Sequence, residues 1–159
     1  MEGWMHMNTF DRQKAERVWQ RVRGSEEEKG EDRAAELPEL IMNEWNAAAV
    51  YMQLARQMQP RQAQVLQQLS REKLAHAACL KGIYTLMTGE RIVTRSPQPE
   101  QEPPELTLRK CYGREMRSLK EYEKRREDPE YGPVFTRMAR QEREQCCRLL
   151  ELLGNLEKK

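Results

Sequence analysis

Two stretches of this chain, about 70 residues apart, set a glutamate in the middle of an apolar helical stripe and follow it with a tyrosine seven residues on: Glu44 with Tyr51, and Glu115 with Tyr122. The first stripe is Leu37, Leu40, Ile41, Glu44, Ala47, Ala48, Tyr51, Leu54 and Ala55. Its spacing of three and four predicts a helix over about 38–57. The second is Leu108, Cys111, Glu115, Leu119, Tyr122 and Arg126, predicting a helix over about 104–127. Each is followed by a partner. Val65, Leu69, Glu72, His76, Cys79 or Leu80, Ile83, and Leu86 or Met87 mark a helix over about 62–88. Phe135, Met138, Glu142, Gln145 or Cys146, Leu149, Leu152 or Leu153, and Leu156 mark one over about 133–156. When the halves are aligned, Lys73 falls opposite Glu142 and His76 opposite Gln145.

The breaks between stripes fix the connectivity. Gln59-Pro60-Arg61 makes a short turn, Gly89 closes the second helix and Asp128-Pro129 breaks the third. Pro38 and Pro104 suit first turns. Residues 90–105 are too rich in proline for a helix or strand interior. About sixteen extended residues reach roughly 50 Å, more than the roughly 40 Å of the preceding helix, so this connector can run the length of a bundle. The expected fold is all-α: a four-helix bundle of two hairpins joined by a long crossover, its helices running up, down, down and up. It occupies residues 37–156, ahead of a charged tail at 157–159.

Upstream, residues 1–8 read as a frayed leader. Thr9 reads as an N-cap, and Phe10, Lys14, Val18 and Val22, with Trp19 beside them, predict an additional N-terminal helix over about 10–23, ended by Gly24. Residues 24–36 are charged and punctuated by glycine, a solvated connector. Residues 1–36 thus form an appendage whose narrow apolar stripe packs on the bundle or on a second subunit, and a homodimer is expected.

Charge excludes some functions. The 28 basic and 26 acidic residues are interspersed, for a net charge of +2, which gives no footprint for nucleic acid. No apolar run approaches the roughly 18 residues of a membrane span. No basic region followed by an apolar one opens the chain, so export is not expected. The four cysteines, at 79, 111, 146 and 147, form no Cys-x-x-Cys pair, which argues against a zinc ribbon. Reduced thiols in a cytoplasmic protein are expected.

Over residues 37–156 the pattern resembles the ferritin-like superfamily, and within it the rubrerythrin-type di-iron domain. That family carries a lone Glu on each of the first and third helices and a Glu-x-x-His on each of the second and fourth. Glu44 and Glu115 match the lone acids, His76 matches the histidine of the second helix, and Glu142 the acid of the fourth. Two positions depart: Lys73 stands where the acid before His76 belongs, and Gln145 stands for the second histidine. No rubredoxin-like tail is expected after the bundle. The resemblance implies an iron site and an oxidoreductase acting on peroxide, oxygen or ferrous iron, supplied by a redox partner. Its ligands would be Glu44, Glu72, His76, Glu115 and Glu142, with Gln145 a weak one. Glu72 enters because it lies one turn before His76 and would face inward. Tyr51 and Tyr122 are candidates for a redox role beside ordinary core packing.

Buried carboxylates need compensation, and a metal ion provides it, since iron takes carboxylate and imidazole ligands. The alternative needs no metal. The Lys73 ammonium would enter the acidic cluster and neighbouring carboxylates would share protons, leaving a non-enzymatic bundle that acts as a dimeric structural or partner-binding protein. Cys111, one turn before Glu115, and Cys146, one turn after Glu142, should lie at one level as a thiol pair or extra ligands, or simply as buried apolar groups.

Overall fold

The computed structural model of the protein describes residues 13–19, 21, 33–95 and 101–157. The described residues are helical with no strand. The short N-terminal helix α1 (residues 13–19) precedes α2 (Leu37–Ala55), α3 (Pro60–Thr88), α4 (Pro104–Lys124) and α5 (Gly132–Glu157). The leader at 1–8, the Thr9 cap, Phe10, Val22, Gly24 and most of the connector at 24–36 lie outside the described residues, as do 96–100 and the last two residues.

Local chemistry sets the ends. A proline occupies the first turn of α2, α3 and α4, where its missing N–H costs nothing. Gly89 ends α3 in a left-handed conformation (φ 75°), its N–H donating to the Thr85 carbonyl at 2.8 Å. After Lys124 the chain tightens into a 3-10 turn, Arg125–Glu127. This turn swings Arg126 out to solvent, so the stripe expected to include it stops at Tyr122. Asp128 then accepts the backbone N–H groups of Glu130 and Tyr131 at 3.0 and 2.9 Å. Gly132 is required at the start of α5, because a Cβ there would stand 2.5 Å from the Arg126 carbonyl oxygen.

Two apolar clusters define the topology. One joins Leu37, Leu40 and Ile41 of α2 to Leu80 and Ile83 of α3, Leu119 and Tyr122 of α4, and Phe135 and Met138 of α5. The other joins Tyr51 and Leu54 to Leu66 and Leu69, Leu108 and Cys111, and Leu149 and Leu152. The start of α2 therefore meets the end of α3, the end of α4 and the start of α5. The helices run up, down, down and up. Burial of each large side chain contributes about 1.5–3 kcal/mol.

The buried face of α2 is the expected one, residue for residue. That of α3 is not. It runs through Leu66, Leu69, Ser70, Lys73, His76, Ala77, Leu80 and Ile83, whereas Val65 and Glu72 sit at its edge and Leu86 is 74% exposed. The stripe is rotated by one residue toward Lys73, because Lys73 binds acids in the interior and Glu72 does not. The connector also differs at its end. Ala34 is buried in the first cluster. Arg33 donates to both Asp128 oxygens at 3.0 and 2.9 Å, tying this segment to the turn between α4 and α5. On α1, Val18 and Trp19 are 54% and 62% exposed.

Candidate metal centre

Between the two apolar clusters lies a polar layer. Glu44, Lys73, His76, Glu115, Glu142 and Gln145 are each at most 5% exposed. One lone acid comes from each of α2 and α4, Lys73 and His76 from α3, and Glu142 and Gln145 from α5.

The Lys73 ammonium is the hub. It donates to Glu115, to Glu142 at 2.7 Å, and lies 3.4 Å from Glu44 Oε2. Burial alone would lower its pKa; the three carboxylates outweigh that and raise it above the ordinary value, so it stays charged. Tyr51 donates to Glu115 Oε1 at 2.7 Å, and Tyr122 donates to Glu44 Oε1 at 2.6 Å. Each tyrosine thus bonds the lone acid of the other half, which crosses the internal repeat. Burial first, then the nearby carboxylates, push both phenols well above their usual range, so both remain protonated donors.

His76 points Nδ1 between Glu44 Oε2 and Glu142 Oε2, 3.5 Å from each. Its other nitrogen, Nε2, lies 2.9 Å from Gln141 Oε1. Burial opposes the imidazolium, but Glu142 and Glu44 outweigh it and push the pKa up to about 10. Burial likewise raises Glu115 well above the carboxylate range, while Lys73 overcomes burial at Glu142 and draws it down to about 2. Without metal, two cations, Lys73 and His76, therefore face the three acids of the layer.

These shifts set a sign for stability. A group whose folded pKa is raised stabilises the fold below its unfolded pKa and loses that contribution as pH rises through the folded one. For His76 the loss runs from about 6.5 to about 10, and raised Glu115 acts in the same direction. The metal-stripped protein is expected to lose up to about 5 kcal/mol between pH 6.5 and 10, read as a falling urea midpoint. A level profile over that range would contradict the charge assignment.

Of the remaining expected residues, Glu72 is the one placed differently. Glu72 does not turn inward; it is 29% exposed and pairs with Arg148 at 2.8 Å. Gln145 is fully buried, and neither amide atom has a hydrogen-bond partner. Cys111 and Cys146 are buried free thiols. Burial, then Glu115, pushes them up to about 11 and about 12, which favours the protonated thiol. Gln141, Ser70 and Ser118 were not singled out by the sequence. Gln141 adjoins Glu142 on the flank of its stripe, and that adjacency was the only signal available. Ser70 donates to the Ala48 carbonyl at 2.7 Å, stitching α3 to α2.

Glu44, His76 and Glu142 each offer one ligand atom within 4.8 Å of the others, all three buried. Glu44 Oε2, His76 Nδ1 and Glu142 Oε2 each lack a hydrogen-bond partner. Two carboxylates and an imidazole form a donor set suited to a first-row divalent ion, so these residues fit one metal ion. A second does not fit beside it, because the Lys73 ammonium holds Glu115 and shares Glu142.

An up-down-down-up bundle with a buried layer of carboxylates and histidine is a ferritin-like metal-binding architecture. A family model for rubrerythrin, a ferritin-like di-iron domain family, matches residues 37–159, and the chain belongs to that family. No curated protein and no solved structure matches it. Among the described residues no helix is long and apolar enough to cross a membrane.

Proposed function

We propose that this chain binds a single divalent metal ion, with iron the first candidate, between Glu44, His76 and Glu142, and that the Lys73 ammonium takes the place of a second ion. The supporting observation is the convergence of three buried ligand atoms that make no hydrogen bond, beside a lysine that already satisfies the other acid. Formal charge balances: a divalent ion and Lys73 supply +3 against three carboxylates, with His76 neutral.

A bound iron ion would supply one-electron exchange with oxygen or peroxide. The residues hold and shape that site. Tyr122 fixes Glu44 through Oε1 and leaves Oε2 without a hydrogen bond, facing His76 Nδ1 and the Lys73 ammonium. Lys73 fixes Glu142 through Oε1 and likewise leaves Oε2 without a hydrogen bond, facing His76 Nδ1. The apolar clusters on either side exclude water from the layer. One ion would exchange one electron at a time, so turnover of peroxide to water would require an external donor supplying both electrons, and the chain would act as an oxidoreductase only with such a partner.

The protonation of His76 favours a second reading, a metal-free bundle in which Lys73 and the imidazolium balance the acids. Calorimetric titration of the chelator-treated protein with ferrous iron under anaerobic conditions separates the two. The single-ion reading expects saturation at one ion per chain and loss of binding in Glu142→Ala. Absence of binding by the folded, unmodified chain would establish the metal-free bundle.

A further inference from the structure

His76 has two nitrogens, and which one ligates depends on which one carries the hydrogen. Nδ1 faces Glu44 and Glu142, whereas Nε2 lies 2.9 Å from Gln141 Oε1. An amide oxygen only accepts, so Nε2 must donate and keep its hydrogen. Nδ1 is then the nitrogen able to offer a lone pair toward the carboxylates. Had Gln141 presented its amide N–H₂, Nε2 would be bare and the hydrogen on Nδ1 would block the site. Gln141 stands immediately before Glu142 on α5, so the helix that supplies one ligand also supplies the group orienting another.

We infer that Gln141 is a positioning residue that accepts the Nε2 hydrogen of His76 and so makes Nδ1 the metal-ligating atom. This rests on the single-ion reading above. A metal-ligating histidine needs its second nitrogen anchored, and loss of such an anchor weakens binding ten- to a hundredfold. The Nε2 hydrogen bond persists whether Nδ1 carries a proton or a metal, so binding requires no change at Gln141. The residue is half-buried rather than sealed in the core, so its substitution leaves both apolar clusters intact.

The test uses the full chain loaded with zinc, a diamagnetic probe, and labelled with nitrogen-15 at histidine. The sequence has two histidines, His6 and His76, which keeps the spectrum simple. Long-range nitrogen–proton correlation should show His76 bound through Nδ1 with a hydrogen on Nε2. Gln141→Leu should weaken zinc binding ten- to a hundredfold with its melting temperature little changed, and Gln141→Glu, which keeps an acceptor, should restore it. Ligation through Nε2, or a Gln141→Leu variant that binds as tightly as the unmodified chain, would overturn the inference. Failure of the unmodified chain to bind zinc would instead overturn the single-ion reading beneath it.

Discussion

Replacing Lys73 with methionine is expected to destabilise the metal-free protein by about 3–5 kcal/mol. The side chains are similar in volume, so packing is largely kept and the loss is electrostatic. Lys73 is fully buried and meets Glu44, Glu115 and Glu142 at once. Without it, three carboxylates share the dry layer with only His76 as a cation. They must take up protons or hydrate, and either route weakens the fold. Urea unfolding of chelator-treated protein at neutral pH measures the effect. Added divalent metal should recover part of the loss, because an ion can then stand where the ammonium stood. A loss below about 1 kcal/mol would show that Lys73 does not carry the charge balance of the layer.

Lys73→Glu is expected to change the metal count from one ion per chain to two. The substitution removes the ammonium that occupies Glu115 and adds a fourth carboxylate three residues before His76. It restores the Glu-x-x-His spacing of the family on α3. Four acids and one histidine then face one another, which no single divalent ion neutralises. The variant should fold poorly without metal and should be prepared by refolding in its presence. Elemental analysis of the loaded, desalted protein gives the count. One ion in a well-folded variant would mean that something other than Lys73 limits the site.

Much of this was legible in the residues. The nine-residue stripe of α2 was unambiguous because small and large apolar groups recur at helical spacing with one acid among them. The paired Glu and Tyr positions on α2 and α4 exposed the internal repeat, and the proline-rich connector fixed the crossover. The stripe of α3 was drawn through Glu72, which looked like a spare ligand, while Lys73 entering the acidic cluster stood only as the alternative. Glu72 and Lys73 both lie within a turn of His76, and periodicity alone cannot choose between them. The choice is made by the three carboxylates that Lys73 reaches from other helices. Arg126 was assigned inward because the 3-10 turn that rotates it outward carries no period of its own. Gln141 was missed because its role depends on which nitrogen His76 offers, a matter of side-chain orientation.

The most direct measurement of the central claim is anomalous diffraction at the iron edge from crystals of the unmodified protein grown with ferrous iron. The account predicts one peak per chain, bounded by Glu44, His76 and Glu142, with the Lys73 ammonium still bonded to Glu115. Two peaks with Lys73 displaced, or no peak in an intact bundle, would contradict it.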